Sequence, residues 1–286
     1  MGAGGPRFKS ARPDQLHPKF ALFIRERRYL ANVSERTIQW YEESFNWLLI
    51  PCPSEIELGE FVIRMRQAGL KPSSCNNRIR AVNAFLKWSG SELRVSKVKE
   101  EQRVLPTFTK GDIDKLVRFK AKGRTPLRLQ VLVLTLIDTG CRISEAIALR
   151  WDEIDFDNLL ILYHGKGRKE RRVPFSFELR RRLYALKQKA KFDLVFCTRD
   201  GNSLNRRVVL RDVKLLCKRV GIVAPERTLH AFRHTFALTY LRNGGSVFHL
   251  QKILGHTSLD QTRKYVNLLT DDLSAVHQKL SPLGRL

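Results

Sequence analysis

Residues 125–145 read TPLRLQVLVLTLIDTGCRISE, and the rest of the chain is most easily understood outward from them. Leu129, Val131, Leu132, Val133, Leu134, Leu136 and Ile137 leave little polar surface, so the stretch predicts a helix buried as the centre of a domain rather than one with a solvated face. Thr125-Pro126 opens it, proline suiting the first helical position, and Gly140 stops it. Arg142 then opens the next helix, with Glu145 three residues on and on the same face.

Downstream, two short strands are predicted around Leu159–Tyr163 and Arg171–Pro174. His164-Gly165-Lys166-Gly167-Arg168-Lys169 joins them, and its glycines mark a β-hairpin turn. Helical patterns follow to the end. Upstream, Thr109 with Asp112 three residues later has the form of a helix-capping signature and starts this domain. Residues 108–286 are therefore read as a second domain of α+β class, mainly α with a small β-sheet and ending in a tail helix. Residues 91–107, SELRVSKVKEEQRVLPT, lose all periodicity and read as a linker.

Residues 19–90 carry four short helices in a separate domain. One starts near Pro18 with Phe20, Phe23 and Ile24; the next follows Ser34 and places Ile38, Tyr41, Phe45 and Leu48 at helical spacing. A third covers Ile56 to Gln67, and a fourth runs from Pro72 and Ser73 to Trp88 and ends at Gly90. Residues 1–18 are basic and contain proline and glycine, the composition of an arm.

Lys and Arg number 53 against 28 Asp and Glu, a formal charge of +25. An excess of that size predicts a polyanionic partner, nucleic acid ahead of an anionic membrane. With 43% hydrophobic residues among 286, the chain can bury two modest cores. No apolar run is long enough for a transmembrane helix and the N-terminus lacks an apolar signal core, so a cytoplasmic, nucleoid-associated protein is expected. Cys52, Cys75, Cys141, Cys197 and Cys217 are odd in number and never in CxxC spacing, as for reduced thiols rather than disulfides or zinc ligands.

Five segments carry polar chemistry. Arg142 and Glu145 aim a guanidinium with a carboxylate to orient it, or form an ordinary surface ion pair. Lys166, with Arg168 and Lys169, sits where a hairpin tip reaches a DNA groove, or is a solvated basic turn. The order of residues there is not that of a nucleotide-triphosphate loop. In His230-Ala231-Phe232-Arg233-His234, His230 and Arg233 are three apart and able to converge on one phosphate. His230 and His234 have a spacing that suits zinc, but no Glu follows His230 and no cysteine lies nearby, so no metal is expected. Leu254-Gly255-His256 exposes a histidine at a helix end. Ser258 and Gln261 fit a capping box, which places Tyr265 on the helix that follows. A lone tyrosine is more often a packing residue than a nucleophile.

Taken in order, Arg142, Lys166, His230-x-x-Arg233, Gly255-His256 and Tyr265 resemble the active site of the tyrosine recombinase (phage-integrase) family, and of its simple Xer-like members most. All six positions are filled within about residues 109–266, including the nine-residue step from His256 to Tyr265. The resemblance implies an enzyme that cuts and rejoins DNA at a specific site with neither metal nor nucleotide. Tyr265 would attack a phosphodiester and form a 3′-phosphotyrosyl bond, while Arg142 and Arg233 grip the phosphate oxygens. His230 would accept the tyrosine proton, Lys166 would protonate the leaving 5′-oxygen, His256 would hydrogen-bond the phosphate, and Glu145 would hold Arg142. Cys141 and Phe232 stand where other apolar residues are expected, and Cys141 beside Arg142 suggests thiol sensitivity.

The family also implies a two-domain clamp on double-stranded DNA with inverted-repeat core sites, and a tetramer formed through the C-terminal tail, where Leu273, Val276 and Leu280 make an amphipathic series. The first domain resembles the family's core-binding domain only loosely. Its fourth helix offers Ser73, Ser74, Asn76, Asn77, Arg78 and Arg80, types that suit groove and phosphate contact, or simply a polar helix start. The short stretch before Leu16 leaves little room for a further arm-site domain. Integration, excision, resolution and inversion all share this chemistry. Two other readings use the same surface: a type IB topoisomerase, which would relax any DNA, and a non-catalytic DNA-binding regulator, which needs no nucleophile.

Overall fold

A computed structural model describes residues 16–100, 105–165, 170–267, 277 and 281. The chain divides into two compact units, residues 1–103 and 104–286. The arm expected at residues 1–18 and the tail helix after Tyr265 fall almost wholly outside the described residues.

Unit 1 holds α1 (Pro18–Tyr29), α2 (Glu35–Leu48), α3 (Glu55–Gln67) and α4 (Pro72–Trp88). Its core is aromatic: Phe20 stacks on Phe45 at 4.5 Å between ring centres, and Phe23 meets Tyr41, Phe45, Phe85 and Trp88 edge-on. α3 begins with a full capping box between Ser54 and Glu57, whereas Ser34 precedes α2 without a side-chain capping bond.

Residues 91–100 have neither helix nor strand, as their lost periodicity implies, but they are strapped to α4. Asn83 donates to Val95 O and accepts from Val95 N–H, and Asn76 does the same with Val98. Asn76 and Asn83 are seven residues apart, two turns of one helix face, so each amide satisfies the donor and acceptor of an extended segment running alongside. This corrects the reading of Asn76 as a DNA contact. It is 7% exposed, and its amide is also bonded to Glu100 at 2.6 Å. Arg78 is likewise engaged, with Glu43 at 2.9 Å.

Unit 2 is built round α6 (Arg124–Thr139), with Val131, Leu132, Val133 and Leu136 fully buried. The helix starts at Arg124 behind Gly123, so Pro126 is its third residue rather than its first. α5 (Lys110–Arg118) begins with the Thr109–Asp112 capping box and is tied to α6 by buried Gln130, which donates to the carbonyls of Leu116, Val117 and Phe119. α7 (Ile143–Ala148) and a 3₁₀ turn (Trp151–Glu153) lead into an antiparallel sheet of β1 (Ile154–Asp155), β2 (Leu160–His164) and β3 (Glu170–Pro174), paired in that order. Two of these strands were expected; β1 has two residues, too few for an alternation to be read. α8 (Phe177–Lys187), α9 (Arg206–Arg219), α10 (Thr228–Arg242), α11 (Val247–Leu254) and α12 (Asp260–Val266) complete the unit. α10 lies along α6, with Phe232 stacked on Phe108 at 4.4 Å. No helix among the described residues is long and apolar enough to cross a membrane.

Candidate active site

Three helix ends converge where α10 crosses the unit. Gly140 ends α6 in the left-handed conformation (φ +61°), and a Cβ there would fall 2.3 Å from the Phe236 ring, so this sharp exit needs glycine. α11 ends the same way at Gly255. Arg233 on α10 reaches both ends, donating to Gly140 O at 2.8 Å and Leu254 O at 2.6 Å. Carbonyls at helix C-termini lack intrahelical donors and carry the negative end of the dipole, so they suit a guanidinium. Arg233 is 6% exposed, and burial, then repulsion from Arg142, lowers its pKa to about 10; it remains a cation at neutral pH.

Arg142 precedes α7, where its N–H bonds Glu145 at 2.7 Å and its guanidinium bonds the same carboxylate at 3.0 Å. Glu145 holds a second arginine, Arg171 of β3, through two bonds of 3.0 and 2.8 Å. Burial pushes the Glu145 carboxyl up, but the hydrogen bonds from Arg171 and Arg142 outweigh it and the net shift is down. Arg171 also donates to Ile253 O at 2.8 Å and lies over Tyr163. One arginine thereby ties the sheet, α7 and the end of α11 together. Glu145, expected to hold Arg142, bonds both arginines; Arg171 went unnoticed in a basic hairpin where five of the seven residues 166–172 are Lys or Arg.

Tyr265 lies on α12, 1% exposed. The predicted Ser258–Gln261 capping box is not formed: α12 starts at Asp260 behind Leu259, and Gln261 bonds Thr257 instead. The Tyr265 hydroxyl is 3.0 Å from His234 Nδ1. Burial raises its pKa, while the charges of Arg233 and Arg142 and a bond with Arg233 pull against the rise. His256 follows Gly255, bonds Thr262 through Nδ1 at 2.8 Å, and lies parallel to the Tyr265 ring. Burial, then Arg233, lowers its pKa to about 3.

His230 sits one turn before His234 on α10, exposed, beside Arg206 and Arg227 in an open cleft. The sequence reading gave His230 the tyrosine proton; the described hydrogen bond goes to His234, because α12 packs against the turn of α10 that carries residue 234. His234 was weighed only as a zinc ligand, and among the described residues no group of three or more His, Cys, Asp or Glu is disposed to hold a metal. Lys166, Arg168 and Lys169 lie outside the described residues. Cys141 is buried and its thiol pKa is raised by that burial, which corrects the expectation of a reactive thiol.

The histidine shifts have a consequence for stability. His256 and His234, at about 3 and about 4, remain neutral in the folded protein at pH values where an unfolded histidine, with pKa about 6.5, is protonated. The unfolded chain therefore binds more protons below about pH 6.5, and stability falls with pH from there toward 4. Melting of the DNA-free protein should occur at progressively lower temperature across that window. Substituting Gln for both histidines should flatten the dependence there.

Comparison with known proteins fits this geometry. The model of the phage integrase family matches residues 106–271, more than half of the chain. The chain belongs to the phage integrase family. Over 251 residues the enzyme is 30% identical to tyrosine recombinase XerD of Rhizobium meliloti, covering 80% of this chain and 81% of that one. It is 28% identical to tyrosine recombinase XerA of Pyrococcus horikoshii over 250 residues, with 84% and 83% covered. A solved structure of the Tn1549 transposon integrase in complex with a circular intermediate DNA matches with TM-score 0.73 at 19% identity, covering 92% of this chain and 99% of that one. The chain is thus a tyrosine recombinase, an enzyme of site-specific DNA recombination with DNA as partner, and the topoisomerase and regulator readings lose ground.

Proposed function

We propose that this recombinase cuts each strand with Tyr265, forming a 3′-phosphotyrosyl bond and freeing a 5′-hydroxyl. The observation that carries the reading is the convergence of Tyr265, Arg233, Arg142 and His256 at the ends of α6, α11 and α12. Arg142, 38% exposed in its side chain and held by Glu145, can offer its guanidinium to a phosphate, while Arg233 presents a fixed charge from below. Guanidinium forks fit two phosphate oxygens and stabilise the charge that grows on them during attack. His256 supplies a further hydrogen bond to the phosphate, His230 lines its approach beside Arg206 and Arg227, and Lys166 protonates the departing 5′-oxygen. The phosphodiester is exchanged for a phosphotyrosyl ester, so the reverse attack by a 5′-hydroxyl reseals the strand without ATP.

On unit 1, Ser73, Ser74, Asn77 and Arg80 form the exposed part of α4's polar face and are proposed to meet the DNA. The full assembly is proposed to be a tetramer on inverted-repeat core sites, joined through the C-terminal tail.

Covalent capture tests the reading. The protein is expressed in a bacterial host carrying DNA of its source, denatured and purified, and attached DNA is sequenced. One recurrent short site is expected. Attachment scattered without sequence would favour relaxation of arbitrary DNA, and strong DNA binding with no attachment would overturn the proposal.

A further inference from the structure

We propose that His234, rather than His230, is the group that takes the proton from Tyr265 during strand cleavage. The inference deepens the strand-cleavage reading above and rests on it. Tyr265 Oη and His234 Nδ1 are 3.0 Å apart, hydrogen-bond distance, with the rings tilted and their centres 5.7 Å apart. General-base catalysis requires this contact first, and suitable basicity second. The hydroxyl belongs to a side chain that is 1% exposed, so bulk water has little access to the proton. His230 lies on the exposed side of the preceding turn, its ring centre 6.5 Å from that of His234.

The imidazole is in the form the task needs. Burial, then the charges of Lys264, His230, Arg233 and Arg227, holds the His234 pKa near about 4, so at neutral pH the ring is uncharged and has one nitrogen lone pair to offer. With Nε2 carrying the hydrogen, that lone pair is on Nδ1, facing the phenol. Arg233, one of the cations that depress this basicity, is one that a gripped DNA phosphate would neutralise. A phosphate gripped by Arg142 and Arg233 therefore raises the proton affinity of His234 as the substrate arrives. This couples activation of the nucleophile to occupancy of the site.

The step balances as follows. The Tyr265 O–H bond breaks and its proton passes to His234 Nδ1, while the oxygen electron pair forms the bond to phosphorus. The bond from phosphorus to the 5′-oxygen breaks with its electron pair on oxygen, which a general acid protonates. In resealing, the 5′-hydroxyl gives its proton back to the deprotonated general acid and its oxygen bonds to phosphorus, while the phosphorus–phenolate bond breaks and the imidazolium at His234 returns a proton to the departing phenolate.

The test compares wild type, His234→Asn and Lys166→Ala on a nicked duplex bearing the site recovered by covalent capture. Asparagine places an amide oxygen close to the position of Nδ1, so the hydrogen bond is kept and the basicity is lost. His234→Asn should bind the duplex and melt as wild type does, yet form the adduct about 10²- to 10⁴-fold more slowly. Its rate should climb with pH, because tyrosinate must now form unaided. Difluorotyrosine at position 265, a more acidic phenol, should restore much of the rate. A duplex with sulfur as the bridging 5′ leaving atom, which needs no proton, should rescue Lys166→Ala and leave His234→Asn slow. If the Asn variant does not fold, His234→Gln repeats the comparison. Wild-type rates in the variant, or a slow variant that the acidic phenol does not help, would overturn the inference alone. A wild type that forms no adduct on any duplex would remove the strand-cleavage reading and this one with it.

Discussion

Tyr265→Phe should abolish covalent attachment to DNA while leaving DNA binding and the fold in place. Phenylalanine keeps the ring that fills the cluster of Ala237, Leu238, Leu250 and Leu254, so the packing that seats α12 is preserved. The change removes one hydroxyl and its hydrogen bonds with His234 and Arg233, a loss of about 0.5–1.5 kcal/mol for each in a typical case. That is small beside the chemical effect, since the attacking oxygen itself is removed. Tyr163, the other fully buried tyrosine, points its hydroxyl at Thr139. Denaturing electrophoresis of protein mixed with the captured site should show a slow protein–DNA band for wild type and none for the variant, while native gel shifts of the two remain alike. A residual adduct in the variant would move the nucleophile to another residue.

Arg171→Ala should be the most destabilising single change near the site. The Arg171–Glu145 pair is 11% and 6% exposed in its side chains, so neither charge has water to fall back on. Removing one member of a buried pair leaves the other desolvated and underpartnered, a penalty of about 3–5 kcal/mol. Here the loss is wider than the pair. Ile253 O loses its donor at the end of α11, and Glu145 is left to Arg142 alone. Thermal or urea unfolding should show the drop, and adduct formation should fall with it because Arg142 and His256 are both positioned through Arg171. Replacing the pair together, as Arg171→Met with Glu145→Gln, should recover part of the stability, since no uncompensated charge remains. It should not recover activity, because Arg142 then lacks its carboxylate. A single variant as stable as wild type would show that solvent reaches the pair.

The sequence by itself determined the division into a helical first domain and a mainly α second one, the placement of α6 as a buried axis, and the ordered residue types of the site. Each is a local or linear property. Apolar density from Leu129 to Ile137 requires burial whatever surrounds it, and the order of Arg142, Arg233, His256 and Tyr265 is fixed along the chain. The tertiary structure decided what those residues touch. Asn76 reads as a polar helix residue fit for DNA, and only the return of residues 95–98 along α4 makes it an internal clamp. The sequence singles out His230 by its His-x-x-Arg spacing, and only the packing of α12 against the next turn of α10 brings the Tyr265 hydroxyl to His234. Arg171 is one cation among many in the hairpin until β3 lies beside α7 and the end of α11. The physical reason is common to all three. Hydrogen bonds and buried ion pairs depend on ångström-scale approach between segments far apart in the chain, and neither composition nor periodicity encodes that approach until the hydrophobic cores have set it.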